Sequence, residues 1–212
     1  YDDVCMAPIM EMKEDGSWDY ILAESVDVNE DMTQYTVHLR SDAKWSNGTP
    51  VTAADFVFGW QRAVDPDVAS EYAYMLSDIG QIKNAAEIIA GEKDKSELGV
   101  TAVDDNTLQV ELNAPVSYFT SLMYFPTFYP VNEEFFTSCG DTFATSPETV
   151  LSNGAFVLDS LRGLPETMQY GNGKKRMQQM NERTDRMNDC QEKMKRVTGL
   201  NMAVTNTAIL VF

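Results

Sequence analysis

The side chains able to do covalent or metal chemistry are few: one histidine, His38, and three cysteines, Cys5, Cys139 and Cys190. A Ser-His-Asp or Cys-His relay would have to recruit His38. Its neighbours alternate in the manner of a strand, and no G-x-S-x-G elbow accompanies it. Zinc would need ligands at the short spacings of a metal knuckle, and none of the four residues has them. The odd, widely separated cysteines also argue against a disulfide framework. Asp65, Asp67, Asp104 and Asp105 cluster in turns, but without the D-x-D-x-D-G alternation of a calcium loop they read as solvated turn acids. No G-x-x-x-x-G-K-[ST] loop is present, which excludes an ATPase role for this chain. Catalysis, metals and nucleotides are all poorly served, and the loop aromatics Tyr72 and Tyr74, then Tyr124, Phe125 and Phe128, read by themselves as packing residues.

The elements that would carry these aromatics can be read locally. Tyr35, Val37 and Leu39 alternate with Thr36, His38 and Arg40, the period of a half-buried strand. Asn47-Gly48 supplies a turn, since both residues tolerate positive φ. Thr52 with Asp55 three residues on predicts a capping box, followed by a helix over 52–64 with Phe56, Trp60 and Ala63 or Val64 at helical spacing. Asp65-Pro66 ends it, because a residue before proline is pushed out of the helical region. Trp45 reads as a core or turn-packing residue and Trp60 as core on its helix. A second short helix is expected over 81–90, closed by Gly91. Val100–Val103 and Leu108, Val110 and Leu112 flank the Asp104-Asp105-Asn106 turn as a hairpin. Pro115 is expected to open a helix reaching Met123, and Ser146-Pro147-Glu148 a brief one. Short strands are expected around Asp15-Gly16, and Asn153-Gly154 is expected to turn into a strand over 155–158. Strands and helices interleave irregularly, which predicts an α+β fold with a largely antiparallel sheet and short helices.

Bulk properties set outer bounds. The 212 residues carry a net charge of −17, which disfavours a nucleic-acid partner. Apolar content of 43% with ten Phe, nine Tyr and three Trp predicts a folded, soluble protein. No apolar run reaches the roughly 18 residues of a membrane span. The opening YDDVCMAPIM lacks a basic region and apolar stretch, so a mature or truncated chain is expected. The charge is also uneven. Residues 1–160 carry −21 and residues 161–212 carry +4, with six of the twelve methionines in the latter.

The stretches LRSDAKWSNGTPVTAADFVFGWQRAVDP, ASEYAYML, IIAG…LGVTAVDDNTLQVELNAPVSYF and SNGAF occur in an order and spacing that resemble the oligopeptide-binding proteins of ABC importers, solute-binding protein family 5. The resemblance runs from about Asp15 to Asp159. It implies a fragment of the type II periplasmic-binding-protein fold without its second lobe. It further implies capture of oligopeptides outside the cytoplasm, in the periplasm or at the cell surface, with no catalysis and no cofactor. Permease and ATPase subunits would be separate chains, and any membrane attachment would come from an anchor not present in the sequence.

The same resemblance divides the chain into residues 1–132, a smaller subdomain of the first lobe with its N-terminal part incomplete; 133–160, the start of the larger subdomain; and 161–212, a non-homologous tail. That tail admits two readings. One is an amphipathic helix with Met177, Met180, Thr184, Met187, Gln191 and Met194 on one side. The other is the product of a reading-frame slip. Tyr72 occupies the position of a family tyrosine whose hydroxyl contacts bound peptide. Phe125 stands where relatives carry a pocket-lining histidine, and with Tyr124 and Phe128 it would make that pocket more aromatic. Asn153 and Gly154 fall near the family's inter-lobe connection. Each has a plainer reading: Tyr72 or Tyr74 packing its loop onto the helix, the 124–128 aromatics as core, Asn153-Gly154 as a hairpin turn. In function, an acidic, surface-attached protein-interaction module without a transport role is the alternative. A fragment of this kind is expected to bind peptide weakly or not at all.

Overall fold

The computed structural model describes residues 6–13, 15–146 and 149–154. The described residues lie in a first compact unit, 1–155; a second unit spans 156–212. The readings of the strand over 155–158 and of the 161–212 tail therefore fall outside the described residues, as do Pro147 and Glu148 of the brief helix.

The Tyr35 alternation forms the spine of the fold. Strands β1 (Met10–Met12) and β2 (Trp18–Tyr20) make a small hairpin around Asp15-Gly16, where Gly16 has a φ of 82°. Strands β3 (Ala23–Val28), β4 (Gln34–Leu39), β5 (Val100–Asp104) and β6 (Thr107–Glu111) form an antiparallel sheet in the order β3-β4-β6-β5. In β4 every second residue is buried, and cross-strand pairs Tyr35–Val110 and Val37–Leu108 build one apolar face. Burying each such side chain fully contributes about 1.5–3 kcal/mol.

Helix α1 (Ala53–Val64) lays Ala53, Phe56, Trp60 and Val64 over that face, against β5 and β6. Its ends follow the residue signals. The Asp55 carboxylate accepts the Thr52 backbone N–H at 2.8 Å. Asp65, before Pro66, has an extended ψ of 119°. Gly59 sits where the helix meets the 129–131 segment: a Cβ there would lie 2.9 Å from the Tyr129 carbonyl oxygen.

Two helices are shorter than expected, and tertiary hydrogen bonds explain both. The helix expected over 81–90 is only α2 (Ala85–Ile89). Ile82 bridges Leu112, the Lys83 N–H donates to Glu111 O at 2.9 Å, and Asn84 has a φ of 65°, so the first residues join the sheet. The helix expected from Pro115 to Met123 is only α3 (Phe119–Leu122). Val116 is held from outside: its N–H donates to Met32 O at 3.2 Å and its carbonyl accepts the Tyr35 hydroxyl at 2.6 Å. Between α1 and α2 the chain makes a five-residue π turn, Met75–Ile79, that the residue pattern does not announce. A 3-10 turn follows α3 at Pro126–Phe128, and α4 spans Glu133–Cys139.

Candidate functional site

The aromatic candidates separate into a core set and a surface set. Phe128 is fully buried; its ring stands edge-on to Trp60 at 5.1 Å and to Phe119 at 6.1 Å. The Trp60 indole also donates to Phe128 O at 3.0 Å. Phe128 is therefore a core residue, the plainer of the two readings of the 124–128 aromatics. The surface set is Tyr72, Tyr74 and Phe125. Tyr72 is 49% exposed and Tyr74 45%. The Tyr72 ring lies 5.5 Å from Phe125 and 6.2 Å from Tyr74, both tilted. Phe125 is half-buried, packed at its base against the core, as Tyr124 is half-buried beside it.

Two different segments supply this rim. Tyr72 and Tyr74 come from the turn leading into the π turn, and Phe125 from the residue that caps the 3-10 turn after α3. The Tyr72 hydroxyl makes no hydrogen bond among the described residues, so it is available as both donor and acceptor. The arrangement offers an aromatic platform with a free phenol at its edge. It presents no nucleophile–base pair.

Asn153 and Gly154 sit elsewhere. Asn153 is buried; its Oδ1 accepts the Ala7 N–H at 2.7 Å and its Nδ2 donates to Ala7 O at 3.3 Å. Ser152 O accepts the Ser46 N–H at 2.6 Å, and the Gly154 N–H donates to Ser152 Oγ at 3.2 Å. These bonds staple the returning chain to the 45–48 turn and to the start of the fold. They do not join Asn153 or Gly154 to the Tyr72–Phe125 rim.

Sequence reasoning passed over Tyr118. It is 51% exposed, and its hydroxyl donates to Ile79 O, at the end of the π turn, at 3.3 Å. Its place in SYF beside the buried Phe119 was the only available signal. His38, the one histidine, pairs with Asp27 at 2.9 Å on the sheet surface. Asp65 is paired with Lys95 at 2.5 Å. Lys95 holds the Asp65 carboxyl below its ordinary value by hydrogen bonding to it. Among the described residues, no helix is long and apolar enough to cross a membrane.

The described frame is antiparallel α+β with short helices and carries an exposed aromatic rim, and comparison with known proteins gives its family. The sequences described as bacterial extracellular solute-binding proteins, family 5 middle, match residues 19–166, and the chain belongs to that family. It is 48% identical over 137 residues to the periplasmic oligopeptide-binding protein OppA of Escherichia coli, covering 65% of this chain and 25% of OppA. It is 47% identical over 137 residues to the probable deoxycholate-binding periplasmic protein YgiS of the same organism, with the same two coverages of 65% and 25%. Among solved structures, the Bacillus anthracis oligopeptide ABC transporter substrate-binding domain superposes with a TM-score of 0.69 at 45% identity, covering 74% of this chain and 30% of that one. Listeria monocytogenes OppA bound to peptide gives 0.68 at 44%, covering 73% and 30%. The fold is thus that of the family 5 binding proteins, and the chain spans about a quarter of the length of the curated relatives it matches.

Proposed function

We infer that these residues form part of an extracytoplasmic oligopeptide-binding component of an ABC importer, and that Tyr72, Tyr124 and Phe125 face the peptide. One observation carries the reading: Tyr72 holds a free phenol on an exposed aromatic platform, within a frame shared with peptide-binding relatives. A phenol can donate to a peptide carbonyl and accept from a peptide N–H, at about 0.5–1.5 kcal/mol net. Such contacts are sequence-tolerant, because every peptide backbone offers the same groups. Phe125 adds an apolar surface for side chains and cannot titrate.

In this reading residues 1–132 act as the smaller subdomain of a first lobe and 133–160 begin the larger one. Asn153 and Gly154 serve it through backbone geometry where the chain returns. Delivery would be to a separate permease and ATPase, after closure of a cleft that strengthens polar contacts by excluding water. The rim is one wall of such a cleft, so the 212-residue chain alone is expected to bind more weakly than micromolar.

The test is chemical-shift mapping with a tri- to pentapeptide pool at millimolar concentration, alongside calorimetry. Shifts centred on Tyr72, Tyr124 and Phe125, with no micromolar heat signal, support the reading. Shifts elsewhere, or none, overturn the assignment of the rim. Deoxycholate belongs in the same titration, since an aromatic platform also suits a fused apolar ring system. If it alone perturbs the rim, the peptide reading fails.

A further inference from the structure

The two segments that carry the aromatic rim are far apart in the chain, yet Tyr72 and Phe125 keep a centroid distance of 5.5 Å. What sets that distance lies behind them. The π turn closes with the Gly80 N–H donating to Met75 O at 3.0 Å, five residues back. A Cβ on Gly80 would lie 2.8 Å from that same oxygen and 3.5 Å from the ring of Phe119, the first residue of α3. So Gly80 is where the wide turn meets α3: a side chain there would crowd the turn's own Met75 carbonyl, while Phe119 stands at ordinary contact distance.

The carbonyls at the end of the turn are each met. Ser77 O accepts the Gln81 N–H at 3.1 Å, and Asp78 O accepts the Gln81 side-chain amide at 2.8 Å. Ile79 O accepts the hydroxyl of Tyr118, which caps the start of α3. At the far end of α3, the Phe125 N–H donates to Leu122 O at 2.8 Å. A continuous path therefore runs from Tyr74 through the π turn, across Tyr118 and Gly80, along α3 and out to Phe125. π turns recur at functional sites because their extra residue re-aims the side chains beside them.

We propose that Tyr118 and Gly80 are positioning residues: they tie the π turn to α3 and thereby fix the Tyr72–Phe125 pair. The role as ligand-facing rim rests on the function inferred above. The test needs no ligand, so the two readings fail separately.

The experiment compares the full chain with Tyr118→Phe and Gly80→Ala by amide hydrogen exchange and by ring-to-ring NOEs. In Tyr118→Phe, loss of one hydroxyl is expected to speed exchange at Gly80, Gln81 and Ile82 by about fivefold. The Tyr72–Phe125 NOE should weaken, while exchange at Val37 and Val110 stays unchanged and Tm moves by no more than about 3 °C. Gly80→Ala should show the same local pattern more strongly. If Gly80→Ala does not fold, Tyr118→Phe decides alone. Unchanged exchange and an unchanged NOE overturn the proposal. Uniform acceleration that includes Val37 and Val110 also overturns it, because it marks a merely structural role.

Discussion

The indole N–H of Trp45 donates to Asp55 Oδ2 at 3.1 Å, and both residues are buried. The same oxygen accepts the Thr52 N–H at 2.8 Å and the Thr52 hydroxyl at 3.2 Å, while Oδ1 accepts the Asn132 amide at 3.2 Å. One carboxylate thus ties the KWSNG turn, the start of α1 and the segment entering α4. A buried acid of this sort persists because its lone pairs are all answered by donors.

Replacing it should be costly. Asp55→Ala strands the Trp45 and Asn132 donors, and a buried unsatisfied donor costs about 1–3 kcal/mol. A loss of about 3 kcal/mol is expected in urea unfolding, with Asp55→Asn losing less. A loss below about 1 kcal/mol would show that the junction is held by packing instead.

Gly59→Ala is expected to destabilise despite the better helix propensity of alanine. The new methyl would press on the Tyr129 carbonyl at 2.9 Å, a backbone atom that has no rotamer to yield. Overpacking of this kind costs about 1–3 kcal/mol. A raised Tm would contradict the close approach.

Lys95→Met tests the exposed ion pair. The Lys95 hydrogen bond holds Asp65 below its ordinary 3.8, and Asp65 in turn raises Lys95 above 10.5. The depressed Asp65 contributes above pH 3.8 and loses that contribution as pH falls through its folded value; the raised Lys95 contributes below 10.5 and loses it as pH rises through its folded value. The stability difference between wild type and variant should be flat between about pH 5 and 9 and close at both extremes. Asp15, Asp94 and Asp104 are lowered by hydrogen bonds from Ser17, Ser96 and Asn106, and Asp42 by Arg40. Overall stability should therefore decline as pH falls below that ordinary carboxylate value. Denaturant midpoints across pH check both statements, and a gap that widens in acid would refute the pairing.

Asn153→Ala should release the Ala7 segment. It leaves a buried backbone N–H without its acceptor, at about 1–2 kcal/mol. Limited proteolysis should cut near Ala7 sooner in the variant, with β4 and β6 amides still protected. Equal cutting rates would show that the Ala7 segment is held by other contacts.

Tyr72→Phe and Tyr72→Ala separate phenol from platform. Both should reduce the peptide-induced shifts at Phe125. Tyr72→Phe keeps the ring and loses only the hydroxyl, a factor of about two to ten in affinity. Equal effects of the two variants would assign the contact to the hydroxyl alone, and no effect of Tyr72→Phe would assign it to the ring.

Where the fold was legible, one short-range rule decided each element. The Tyr35 alternation gave β4, Thr52 and Asp55 marked the start of α1, and Asp65-Pro66 its end. Illegible features depended on distant partners. Val116 is drawn out of a helix by Met32 and Tyr35, and Lys83 is drawn into the sheet by Glu111. The π turn is met from outside by Tyr118, whose hydroxyl donates to Ile79 O, and no local pattern encodes that partner. The candidate site followed the same division. Exposure of Tyr72 fits its place in a polar loop, whereas Phe128 and Phe125 look alike in sequence and part company only when Trp60 claims the former.

The Ala7–Asn153 pair has an architectural corollary. Two hydrogen bonds join Ala7 to Asn153, so residues 7–153 form a lasso drawn shut at its knot. A body of that shape can be spliced into a surface loop of a host protein without stretching either junction. Such a chimera would display the Tyr72 face as a portable module.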